Sequence, residues 1–174
     1  MDMPVEKDRV VPAPRVDART PRVDNPWLYG GARMNAAFPS QAWVEALVSV
    51  LNADERYAQI ARNWEGDLLF VVKPDGSGGR SETERPSHVY LDLWRGKCRS
   101  GRYLPPEKDD LPKPAFTLTA AFGQFQQILQ GQLDPMQAML TRRLQVAGNM
   151  AYILRNVPVV LDFVRCCRLA GVPD

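Results

Sequence analysis

The chain has one histidine and three cysteines in 174 residues, and almost no net charge. Each shortage excludes something. The one histidine, His88, has no partner at metal-ligand spacing, and Cys98 with Asp92 makes a poor set. No metal and no cofactor is therefore expected. Cys166 and Cys167 are adjacent, so a bridge between them would be strained, and Cys98 stands alone. That is no disulfide framework, and a reducing cytoplasm is the simplest setting. A formal net charge of +2 gives no sign of nucleic-acid binding. The N-terminus lacks the basic start and apolar run of a signal peptide, and no apolar stretch approaches a membrane span. Any membrane contact is expected to be peripheral. Gly76-Ser77-Gly78-Gly79 lacks the lysine-serine ending of a phosphate loop and reads as a flexible turn. No nucleophile sits in a recognisable catalytic setting, so no catalytic residue is assigned and the chain is not expected to be an enzyme.

Apolar residues are plentiful. A hydrophobic content of 45% beside 24% charged residues is ordinary for a globular domain, with enough for a core and a cavity. The length suits one domain plus a tail. Residues 1–38 read as a disordered or extended proline-rich tail. Pro4, Pro12, Pro14 and Pro21 break any helical period, and a Pro-Arg-Val-Asp unit occurs twice. Trp27, Leu28 and Tyr29 would lie where the tail meets the domain. The domain is assigned to residues 39–174.

Within it, Ser40 can cap a helix whose apolar positions are Trp43, Val44, Leu47, Val50 and Leu51. Asn52 with Glu55 resembles a capping box for a second helix, lined by Tyr57, Ile60, Ala61 and Trp64 and ended by Gly66. The run Leu68 to Val72 is apolar throughout, as in a strand buried on both faces. Pro74 to Pro86 is a loop. Val89, Leu91 and Leu93 alternate with His88, Tyr90, Asp92 and Trp94, which gives a two-faced strand. Arg95-Gly96-Lys97 turns the chain into a third strand through Tyr103. Phe116, Leu118 and Ala120 mark a fourth, and Phe122 to Leu129 a helix. At the end, Met150, Ile153, Leu154, Val157, Leu161 and Val164 form a helical stripe that Pro158 should kink. Helices, then strands, then helix, strand and helix argue an α+β fold, one sheet with helices mainly on one face.

The segment from Gly131 to Ala151 is the most specific. Gly131 closes a helix, Asp134 caps the next, and Pro135 occupies its first turn. Leu144 and Val146 alternate as in a strand, and Gly148 turns the chain into the last helix. The order and spacing of Gly131, Leu133, Asp134-Pro135, Ala138, Leu144, Val146 and Gly148 resemble the sterol carrier protein 2 family of lipid-binding domains. Leu51-Asn-Ala-Asp-Glu-Arg-Tyr57, Trp64-Glu65-Gly66-Asp67 and Asp92-Leu93-Trp94-Arg95-Gly96-Lys97-Cys98 resemble a bacterial branch of that family. The resemblance covers roughly Ser40 to Cys167. It implies a five-stranded sheet covered on one face by helices, with an apolar tunnel between them. It also implies non-catalytic binding, and transfer, of a sterol, fatty acid, fatty acyl-CoA or phospholipid.

The resemblance further implies that the tunnel is lined from the last helices. The candidate ligand-binding residues are Phe122, Phe125, Ile128, Leu129, Met136, Met139, Leu140, Met150, Ile153 and Val157. Methionine suits a wall that adapts to ligands of varied shape, but each of these side chains could equally fill a core. Arg95, Lys97, Arg99 and Arg102 concentrate positive charge on one hairpin. They could meet a lipid headgroup or make transient contact with a membrane surface, but basic residues on a strand edge also discourage pairing with other chains. His88 reads as structural or solvent-facing, and Cys166 and Cys167 as small buried hydrophobes. The alternative to lipid carriage is an accessory role: a docking or homodimerising unit that supports a lipid- or quinone-related enzyme, its cavity filled and its tail recruiting a protein partner.

Overall fold

The computed structural model describes residues 36–171, apart from 80, 82 and 83. Residues 1–35, which carry most of the assigned tail and the Trp27 to Tyr29 junction, lie outside the described residues. Phe38 is already in the core, where its ring meets Trp43, Phe122 and Phe125 at centroid distances of 4.8, 6.1 and 5.7 Å.

Helix α1 spans Gln41–Ala53, and the Ser40 hydroxyl caps it by accepting from the Trp43 N–H at 3.1 Å. Trp43, Val44, Leu47 and Leu51 are all buried, as their spacing requires. Helix α2, Glu55–Ile60, corrects the capping-box reading. Asp54 is its cap and accepts from the Tyr57 N–H at 2.8 Å. Asn52 instead reaches across to a strand, donating to the Cys98 carbonyl and accepting from the Cys98 N–H, both at 2.9 Å. An asparagine satisfied by a distant backbone is not free to cap locally. The helix also stops before Gly66, leaving Trp64 buried in the turn beyond it.

The strands are β1 Leu68–Lys73, β2 Ser87–Trp94, β3 Lys97–Leu104, β4 Phe116–Ala121 and β5 Gln145–Ala147. They form one mixed sheet in the order β3-β2-β1-β4-β5, with β1 and β4 parallel and the other neighbours antiparallel. The apolar run thus becomes the central strand. Registration sets Leu68 beside Leu91 and Phe116, and Phe70 beside Val89 and Leu118, on the helix-covered face. Leu69, Tyr90 and Thr117 line up on the opposite face. Arg95 and Gly96, at φ of 48° and 78°, make the tight turn into β3.

Four helices complete the fold: α3 Phe122–Leu129, α4 Pro135–Leu140, α5 Met150–Arg155 and α6 Val157–Ala170. Asp134 caps α4 through the Gln137 N–H at 2.9 Å, with Pro135 at the first position. Asn149 caps α5 through the Tyr152 N–H at 3.0 Å. The break anticipated from Pro158 falls at Asn156, and the proline sits in the first turn of α6, where a missing N–H is harmless. Helix α6 packs on α1, α2, α3 and α4. The Trp43 indole ties α1 to its end by donating to the Gly171 carbonyl at 3.0 Å.

Gly148 joins β5 to α5 at a φ of +128°, and a Cβ there would lie 2.5 Å from the Ala115 carbonyl oxygen and 2.7 Å from a Phe116 ring carbon. The first is a backbone atom at the entry to β4 and the second belongs to a buried ring of that strand, so neither gives way easily. Gly148→Ala is expected to destabilise the fold by about 3 kcal/mol through strain and overlap. A urea titration followed by tryptophan fluorescence would measure the shift.

Candidate functional site

The sheet face and the helices over it do not close completely. A cavity of about 80 Å³ lies between them, and no polar atom contributes to its surface. Its floor is the sheet, through Leu68, Phe70, Leu93 and Leu118. Trp43, Tyr57 and Trp64 wall it on the α1–α2 side, and α3 contributes Phe125, Ile128 and Leu129. Met139 of α4 and Ile153 of α5 close another side, and α6 roofs it with Val160, Phe163, Val164 and Cys167. Two aromatic groups stiffen the walls. Phe70 meets Phe125 and Phe163 at 5.8 and 6.0 Å, while Trp64, Phe116 and Tyr152 meet one another at 5.2 to 5.7 Å.

Of the ten candidate residues, the structure brings Phe125, Ile128, Leu129, Met139 and Ile153 to the cavity. Phe122 is buried against Phe38 instead, and Met136 and Val157 are half-buried away from the lining. Leu140 and Met150 are 79% and 38% exposed and point outward. The physical reason is that α4 and α5 are only six residues long, so a turn and a half offers one inward stripe. Met139 and Ile153 take it. Several lining residues escaped sequence reasoning as ligand contacts. Phe70, Leu93 and Leu118 alternate as ordinary core strand residues do, and nothing in that period distinguishes a wall from a filled core.

The polar candidates behave differently. His88 is 6% exposed on the opposite sheet face, and its Nδ1 has no hydrogen-bond partner among the described residues. Burial lowers its pKa, which keeps it neutral. Asp92 does not join it, because Arg99 holds that carboxylate at 2.8 Å. The hairpin cations are engaged as well. Arg95 pairs with Glu65 at 2.7 Å, Lys97 donates to the Asn52 carbonyl at 3.1 Å, and both Arg95 and Arg99 lie over the Trp94 ring. Arg102 lies over Tyr90. Burial pushes the Cys98 thiol up to about 12 and Cys166 up to about 11, and raises Cys167 too, so all three are neutral thiols at pH 7. Asp54, Asp162 and Cys166 converge, but two arginines neutralise the carboxylates. Arg165 bonds Asp54 and Asp162, both at 2.8 Å, and Arg56 reaches Asp162 at 3.0 Å. That cluster is an ion-pair network joining α2 to α6.

The comparisons with known proteins converge on one family. The model of the SCP-2 sterol transfer family matches residues 46–160, most of the chain. The chain belongs to that family. Among solved structures, a crystal structure of sterol carrier protein 2 is 29% identical, with a TM-score of 0.65 over 74% of this chain and 95% of that one. A protein from Thermus thermophilus, described as possibly a sterol carrier protein, is 28% identical, with a TM-score of 0.66 over 76% of this chain and 89% of that one. No curated protein matches significantly. Of the segment that carries the SCP-2 resemblance, Pro135, Met139 and Leu144 reach the cavity. Among the described residues no helix is long and apolar enough to cross a membrane.

Proposed function

We propose that this chain binds an apolar lipid between its sheet and its C-terminal helices and carries it without chemical change, in the cytoplasm. The observation that carries this reading is the cavity surface. A lining free of polar atoms suits an alkyl chain or a sterol ring system and offers no group to activate a reaction. Burying a chain of about sixteen carbons is worth on the order of 10 kcal/mol before entropic losses. Apolar burial alone therefore suffices for binding, and a carboxylate, hydroxyl or phosphate head would stay at the surface.

The cavity of about 80 Å³ is small for such a ligand. Ligand pockets begin at about 300 Å³, so the walls must separate to admit a long chain. Helices α4 and α5 are the parts suited to move. Each has six residues, far below the about twelve needed for a helix to hold itself together. The Tyr152 hydroxyl, which accepts from the Glu65 N–H at 2.9 Å and donates to the Asn63 carbonyl at 3.3 Å, is the polar tie holding α5 to the α2–β1 turn.

Native mass spectrometry of protein taken from cells, followed by lipid extraction, is expected to find retained lipid. After delipidation, a fluorescent fatty acid or sterol should accept energy from Trp43 and Trp64, which stand in the wall. Absence of both retained lipid and uptake would overturn the reading.

A further inference from the structure

The cavity surface is apolar, so nothing inside it sorts one lipid from another by charge. Selection by charge has to come from the rim. Among the described helical residues that line the cavity, only Met139, Val160 and Val164 are half-buried, and the rest are buried. These three belong to α4 and α6, which pack on each other, so the cavity comes nearest to solvent where the two helices meet.

Arg168 stands on that side of α6. Val160, Val164 and Arg168 are spaced four residues apart and follow one another along the helix. Its neighbour Cys167 lines the cavity. The guanidinium reaches over the end of α3, where Nη2 donates to the carbonyl of Ile128, a lining residue, at 3.1 Å. Gly131 lies against it, and a Cβ there would be 3.6 Å from the guanidinium carbon. Burial raises the Cys167 thiol and the Arg168 charge opposes that rise, so its field reaches the cavity wall. Arg168 is exposed, and among the described residues it pairs with no carboxylate. Ile128 engages one N–H donor of its planar fork, and no other described residue takes one. Arg165, three residues earlier, is committed to Asp54 and Asp162 instead.

We propose that Arg168 anchors the ligand's head at the rim of the cavity and selects anionic lipids, those ending in a carboxylate or a phosphate, over neutral ones. An alkyl chain in the cavity would leave between α4 and α6 and bring its head to the guanidinium. Two oxygens of a carboxylate or phosphate match the open donors of the fork. A sterol hydroxyl carries no charge and gains far less there. The bond to Ile128 holds the guanidinium at the rim before a ligand arrives, so little side-chain entropy is lost on binding. This inference rests on the lipid-binding reading and adds the charge of the ligand to it.

Uptake of three lipids with one fluorescent chain tests it, using full-length protein: a fatty acid, its methyl ester and the matching alkyl phosphate. At about pH 8 both acids are ionised. Wild type is expected to hold at least one acid about tenfold more tightly than the ester, and the acid with the larger ratio identifies the head. Arg168→Gln should bring the acids to the level of the ester and leave the ester unchanged. Arg168→Lys should keep part of the preference, because the charge remains and the fork does not. Arg142→Gln with Arg143→Gln, also exposed cations, should leave the ratio as in wild type. A purely structural role for Arg168 would weaken all three lipids together. Thermal melts would establish that the variants are folded, and the wild-type ratio needs no variant. The proposal is overturned if wild type holds the ester as tightly as both acids, if Arg168→Gln lowers all three alike, or if the Arg142 and Arg143 variant loses the preference equally. Equal uptake of acids and ester overturns the anchor and keeps the cavity reading. Uptake of none overturns the cavity reading, and the anchor with it.

Discussion

Val164→Phe should abolish lipid uptake while making the protein more stable. Val164 lies in the roof of the cavity, half-buried on α6. A phenyl ring there would project into a space of about 80 Å³. An unfilled apolar cavity costs about 24 cal/mol per Å³, so this one destabilises the fold by about 2 kcal/mol. Filling part of it should recover about 1 kcal/mol, the remainder being offset by crowding against Phe163 and Phe70. Uptake of a fluorescent fatty acid should fall at least tenfold. Leu118→Phe, from the sheet floor, should act the same way and guards against a distortion peculiar to α6. If both variants are stabilised and still take up lipid normally, the cavity is not the binding site.

Arg165→Ala should destabilise the fold by about 3 kcal/mol. The guanidinium bonds Asp162 through Nε at 2.8 Å and Nη2 at 3.0 Å, and Asp54 through Nη2 at 2.8 Å. The Asp162 side chain is 2% exposed, so without Arg165 a buried carboxylate keeps only the exposed Arg56. Removing one partner of a buried pair leaves charge with neither water nor a sufficient counter-ion. Arg165→Lys should not rescue, because an ammonium cannot serve two carboxylates in a fork. The effect depends on pH in a defined direction. The Arg165 hydrogen bond, with the Tyr57 N–H second, holds the Asp54 carboxyl below its ordinary value of 3.8. A depressed folded pKa stabilises the protein above the unfolded value. Part of the gap between wild type and variant should thus be complete above about pH 4 and close as pH falls through the lowered value. Urea midpoints at pH 7 and in acid would show it.

Local chemistry was legible wherever a side chain acts on its own backbone. Ser40, Asp134 and Gly148 were readable as cap, cap and turn because each job involves atoms within a few residues. Asn52 failed that test because its partner, Cys98, is 46 residues away. The same division runs through the candidate site. Phe125, Ile128, Leu129, Met139 and Ile153, to which the family resemblance pointed, reach the cavity because each lies on the inward stripe of its helix. Leu140 and Met150 turned out to face outward because periodicity blurs over six residues, where the helix ends set the rotation. The arginines show the limit most clearly. In sequence the hairpin looked like the basic surface. In three dimensions Arg95 and Arg99 are paired, while Arg142, Arg143 and Arg155 have no ion-pair partner among the described residues.

By itself, then, the sequence determined the strands, the caps at Ser40 and Asp134, the turn at Gly148 and the family pattern, all of which follow from short-range chemistry and period. Only the tertiary structure decided that the apolar face and the helices stop short of filling each other. Whether bulky side chains on separate strands and helices leave a void depends on how their volumes meet, a sum over distant residues that no local pattern contains.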